Sequence, residues 1–181
     1  MRKALFLLPV FITLFYQGYS QHSTLAGVRG HFVTPINTFS EGRIAGHYSD
    51  PQVSSFDSIP LVKGLKPKKI YLVPVDRVVP VGGEAEYLKT FGLAPCKNAP
   101  NYLLGLMADV QNGVIDISSL TQGETSFAAL NGTVPIVEDQ KGNPHFLSVV
   151  YNGIGQHWLA LVFVTGKWKP ESKWIFLAEE I

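Results

Sequence analysis

The chain has a single cysteine, Cys96, among 181 residues, so it can close no internal disulfide. Its fold must rest on an apolar core and backbone hydrogen bonds rather than on covalent staples. It also lacks an excess of charge of either sign, with 15 lysines and arginines against 14 aspartates and glutamates. Domains that grip nucleic acid draw most of their affinity from neutralised phosphates and are strongly basic, so no nucleic-acid partner is expected. Long hydrophobic runs are missing too. The stretch from Ala4 to Tyr16 is interrupted by Pro9 and Thr13, and it falls short of the roughly 20 residues that a helix needs to cross a bilayer. Closely spaced metal ligands are the last absence. His22, His31, His47, His145 and His157 form no His-x-His and no i, i+4 pair, and there is no Cys-x-x-Cys. Neither a metal nor a cofactor is therefore expected.

What is present begins with an export signal. Arg2 and Lys3 open the chain, the apolar stretch follows, and Gln17, Gly18, Tyr19 and Ser20 turn small and polar. This is the order of a cleavable secretory signal peptide. Gly18 and Ser20 supply the small side chains that signal peptidase requires three residues and one residue before its cut. Residues 1–20 are thus expected to be removed, leaving 21–181 as one globular domain, secreted or periplasmic, with no membrane span. No cysteine follows the apolar stretch to accept a lipid anchor. Losing Arg2 and Lys3 leaves 13 basic against 14 acidic residues, a mature charge of about −1 with histidine neutral. Asn131, Gly132 and Thr133 fit a glycosylation acceptor, a pattern whose use depends on the compartment.

The expected fold class is α+β. Residues 21 to about 58 mix Gly, Ser, Thr, Pro and His without a sustained period, and form an irregular N-terminal third with short strands near Gly30 to Val33 and Arg43 to His47. Ile70 to Val81 is rich in β-branched residues, but Pro74 and Pro80 require an edge, a bend, or a split around Asp76 and Arg77. Glu84 to Phe91 carries acids early and Tyr87, Leu88 and Phe91 on one side, ending at Gly92, which predicts a short helix. Asn98 and Pro100 suit the start of a second helix, along which Leu103, Leu104, Met107 and Val110 recur at helical spacing up to Gly113. The two would make a short helical hairpin around Cys96. It would pack on a C-terminal antiparallel sheet of about four strands: Thr133 to Val137, Phe146 to Tyr151, Trp158 to Val164 and Lys173 to Ala178. Short turns between these runs favour a meander.

Two constellations could carry chemistry. Cys96 precedes the second helix and His157 begins a strand, and a thiol nucleophile needs a base within reach. This order of cysteine helix then histidine strand resembles that of papain-like and cell-wall-directed cysteine peptidases, over a handful of residues. The resemblance implies Cys96 as nucleophile and His157 as base. Pro95 and Lys97 beside the cysteine depart from the family pattern, and so does the apolar run Trp174 to Leu177, where an orienting residue would stand. The second constellation is Trp168 and Trp174, flanked by Lys167, Lys169 and Lys173. Exposed, these rings would suit a sugar or a membrane surface; facing each other across a turn, they would simply pack, which the spacing favours. Gly82 and Gly83 ahead of a helix could cradle a phosphate, but Glu84 and Glu86 would repel it. Lys63, Lys66, Lys68 and Lys69 fit a solvated loop.

The leading expectation is a non-enzymatic domain binding a protein or glycan partner outside the cytosol, with Trp168 and Trp174 as its candidate binding residues. The alternative is a thiol hydrolase using Cys96 and His157.

Overall fold

A computed structural model of the chain describes residues 28–37, 61–117, 125–129, 137–138, 144–151, 157–163 and 166–181. The signal segment, the strand expected at Arg43 to His47 and the acceptor at Asn131 lie outside them. The elements are β1 (Arg29–Val33), β2 (Lys68–Pro74), β3 (Val79–Pro80), α1 (Glu84–Lys89), β4 (Leu93–Pro95), α2 (Ala99–Gln111), β5 (Thr125–Ala129), β6 (Val137–Glu138), β7 (Pro144–Tyr151), β8 (His157–Phe163), β9 (Lys167–Trp168) and β10 (Trp174–Glu180). The fold is α+β, two helices packed on a largely antiparallel sheet.

Local signals explain the pieces. The β-branched run divides into β2 and β3 with Asp76 and Arg77 between them, because prolines cannot donate to a continuing ladder. Gly92 and Gly113 take φ of 73° and 70°, a left-handed conformation that costs glycine little, just beyond the two helices. Asn98 also departs from the usual cap: it sits at φ 54° and its side chain makes no capping hydrogen bond. Pro100 occupies the first turn of α2, where a missing N–H costs nothing.

Among the described residues the main sheet has eight strands, in the order β1-β2-β10-β5-β7-β6, with β4 beside β10 and β8 beside β7. Every pair in it is antiparallel except β10 with β5. Ala178 pairs with Tyr71 of β2 on one side and with Pro95 of β4 on the other, so β4 runs in line with β5 along the same edge of β10. β3 and β9 form a separate two-stranded ribbon.

Two expectations about arrangement are corrected. The C-terminal strands are not a simple meander: β7 and β8 form a hairpin, but β10 leaves β8 and inserts between β2 and β5. The first five residues of β10 are buried without a break, and a strand that is apolar on both faces needs the middle of a sheet. The helices do not form a hairpin on one face. Ile175 and Leu177 point into a core with Ile70, Leu72, Leu147 and α2, whereas Trp174, Phe176 and Ala178 point into a second core with Tyr87 and Leu88 of α1. β4 lies between the helices and joins the sheet, so the chain crosses from one face to the other there.

The α2 face also holds the N-terminal segments. Asn101, fully buried, donates from Nδ2 to the carbonyls of Ile36 (2.7 Å) and Val62 (2.9 Å) and accepts at Oδ1 from the Val62 N–H (3.2 Å). One turn on, Gly105 packs against the Thr34 backbone.

Candidate functional site

Cys96 lies immediately after β4, and its N–H donates to the Leu177 carbonyl at 3.1 Å, which pins it to the central strand. Its side chain is 0% exposed. Sγ sits 3.4 Å from the Lys97 carbonyl, an oxygen that also accepts from Lys68 Nζ at 3.2 Å. Lys68 is paired with Glu179 and lies over the Tyr102 ring, 4.4 Å from its centroid. Burial pushes the thiol up to about 12, with Glu179 adding to it and the Lys68 ammonium only partly opposing it. Burial disfavours the thiolate, and the side chain packs in the core with Ala99, Tyr102 and Leu177. The left-handed turn at Asn98 also separates it from the first turn of α2.

The register locates His157 elsewhere. His157 pairs with Tyr151, Tyr151 with Thr125, and the neighbouring Ser126 with Trp174, which puts His157 level with Lys173. Cys96 is level with Leu177, four residues further along β10 and two strand positions nearer to it. The backbone positions are therefore about 13 Å apart along the strands and about 10 Å across them, well beyond the ~4 Å reach of a thiol and its base. Nor are His145 and His157 neighbours: His145 pairs with Phe163 at the other end of the same hairpin. His22 and His47 lie outside the described residues. Among the described residues, no group of three or more His, Cys, Asp or Glu side chains is placed to hold a metal ion.

The tryptophans meet, but inside the protein. Trp168 is 0% and Trp174 9% exposed, with ring centroids 4.9 Å apart at an edge-to-face angle of 81°. Phe146 and Phe176 complete the cluster at 5.1 and 5.2 Å from Trp168. Neither indole offers an open face on which a sugar could stack, so the expected binding role of Trp168 and Trp174 gives way to packing. Glu84, at the start of α1, is 1% exposed, and its carboxylate accepts from the Trp168 indole N–H at 2.6 Å and the Gly82 N–H at 2.8 Å. It thereby ties α1 to β9. Trp168→Phe would strip the buried carboxylate of one donor, and a loss of about 2 kcal/mol in urea unfolding is expected. The loss should shrink when Glu84 is already Gln; equal losses in both backgrounds would show that the pair is not coupled.

An open feature lies on the α1 side. Arg77, Val78, Val79 and Pro80 form one wall of a groove of about 250 Å³, and Gly83, Glu86, Tyr87 and Thr90 form the other. Glu86 and Tyr87 of α1, with the flanking caps Gly83 and Thr90, are spaced i, i+3, i+4 and i+7 and so line one side. The Tyr87 hydroxyl, 2.6 Å from the Pro74 carbonyl and 3.1 Å from Asp76 Oδ1, fixes α1 against the break between β2 and β3. Burial, together with Asp76, pushes that hydroxyl up to about 12. The Arg77 guanidinium lies 5.0 Å from the Tyr87 ring centroid and donates to Thr90 Oγ1 at 3.3 Å, and Val78 beside it is 53% exposed. The groove was not foreseen, although its sequence trace existed: a charged break between two apolar half-strands, followed by a helix. No known protein family, curated protein or solved structure matches this chain, so the groove and the sealed thiol must be read on their own chemistry.

Proposed function

We propose that this chain is an exported, non-enzymatic binding protein that takes a protein or glycan partner outside the cytosol. Export rests on the signal-peptide pattern of residues 1–20. The observation that carries the non-enzymatic reading is the burial of Cys96, the only thiol, in the core between β10 and α2. Its proposed base, His157, lies across two strand positions, and the solvent-facing groove beside α1 is a place to bind rather than to attack.

The test is alkylation of Cys96 by iodoacetamide across pH, in the protein and in a His157→Ala variant. A thiol near 12 is ionised in roughly one molecule in ten thousand at pH 8, against about a quarter for an ordinary thiol. Labelling of the folded protein should therefore be at least about a hundredfold slower than in urea, and the His157 variant should not change it. Fast labelling below about pH 7 that slows on losing His157 would overturn this reading and favour a thiol hydrolase.

A further inference from the structure

The strongest unassigned feature is the groove between Arg77–Pro80 and α1, and its rim is charged in a specific way. Arg77 is solvent-exposed, yet it is held by the Tyr87 ring and by Thr90. A guanidinium has five N–H donors in a planar fork suited to a carboxylate; Thr90 takes one bond, and among the described residues no carboxylate is within ion-pair distance of Arg77. Its position is set before anything binds, which lowers the entropy that a ligand would have to overcome. Apolar Val78, Val79 and Pro80 follow directly along the wall.

We propose that this groove docks a short extended peptide segment through one carboxylate held by Arg77, with an apolar side chain of that segment lying against Val78, Pro80 and Tyr87. The idea rests on the binding-protein reading and narrows its partner to a peptide. Three residue steps of Arg77–Pro80 and seven of the α1 face each span about 10 Å, the length of roughly three extended residues. A volume of about 250 Å³ lies below the roughly 300–1,000 Å³ of drug-sized and cofactor pockets and suits one or two side chains. Glu86, exposed on the helical wall, repels a second acid, so the segment carries one carboxylate, at Arg77, and none near Glu86. That carboxylate can be an Asp or Glu side chain or a chain terminus.

The experiment is a titration of ¹⁵N-labelled protein followed by amide chemical shifts. Three probes are used: acetyl-Asp-Leu-Leu-amide, acetyl-Leu-Leu-Leu with a free C-terminus, and neutral acetyl-Asn-Leu-Leu-amide. Shifts are expected at Arg77, Val78, Val79, Glu86 and Thr90 with at least one of the acids, and which acid binds identifies the source of the carboxylate. Binding should weaken at least about tenfold for the neutral peptide and in Arg77→Gln, with Arg77→Lys in between because it keeps the charge but loses the fork. Equal binding of the neutral peptide, no change in Arg77→Gln, or an absence of shifts at these amides would overturn the proposal. Such a failure with Cys96 still protected from alkylation discards the groove alone; fast, His157-dependent alkylation discards the binding-protein reading itself.

Discussion

Gly105→Ala is expected to destabilise the protein, although the change favours a helix. In an exposed helix interior, alanine gains about 1 kcal/mol over glycine. Here a Cβ at position 105 would stand 2.0 Å from the Thr34 carbonyl oxygen, 2.9 Å from its carbon and 3.1 Å from Val33 Cγ1. The first contact is with backbone, which cannot rotate away as a side-chain tip can. The segment after β1 must therefore lift from α2, breaking the close approach that brings Ile36 to Asn101. Overpacking of this kind costs roughly 1–3 kcal/mol and sometimes more; because it must also outweigh the helical gain, the net loss is expected to be about 2 kcal/mol. Urea unfolding of the variant reads it directly. A gain in stability would mean that α2 does not touch the Thr34 backbone.

Asn101→Leu should cost more than Gly105→Ala. Asn101 is fully buried and serves three backbone groups from two separate segments: the Ile36 carbonyl, the Val62 carbonyl and the Val62 N–H. Leucine has a similar volume but offers no donor or acceptor. These three bonds are only part-buried and Val62 is 43% exposed, so water replaces some of the lost partners; at about 0.5–1.5 kcal/mol for each lost bond, a total of about 2–4 kcal/mol is expected after local relaxation. A domain with only ~5–15 kcal/mol of net stability can scarcely absorb that. The damage should be local first. The Val62 amide, bonded to Asn101 Oδ1, should lose hydrogen-exchange protection before the amides of β10 do, because its own hydrogen bond goes to that side chain and not into a sheet ladder. Unchanged exchange at Val62 would show that other contacts hold the segment.

Much of the local structure was legible from the residues themselves. Leu103, Leu104 and Met107 recur at helical spacing and form the buried face of α2. Gly92 and Gly113 stop the helices where their freedom at positive φ is needed. The prolines flanking Asp76 and Arg77 divide one apolar run into two strands. Each signal works over a few residues, and backbone sterics or hydrogen-bond accounting is enough to decode it. β5 escaped notice because Thr125 to Ala129 is short, rich in small residues and weak in β-branched ones.

The site was less legible, because burial and reach depend on partners distant in sequence. Cys96 is next to a helix in the chain, but whether a thiol beside a helix is reactive depends on what covers it. Here the cover is β10, whose Leu177 carbonyl accepts the Cys96 N–H. Glu84 satisfies every local rule for a solvated acid in a first helical turn, and only Trp168, 84 residues away, makes it a buried anchor. By itself, then, the sequence determined the α+β class and most of the described helix and strand positions, since these follow from periodicity and turn chemistry. Tertiary structure alone decided that β10 lies mid-sheet, that the helices take opposite faces, that Cys96 and His157 stand apart, and that a groove opens beside Arg77. An apolar pattern dictates that a face must be covered without naming what covers it, and strand order and register make that choice.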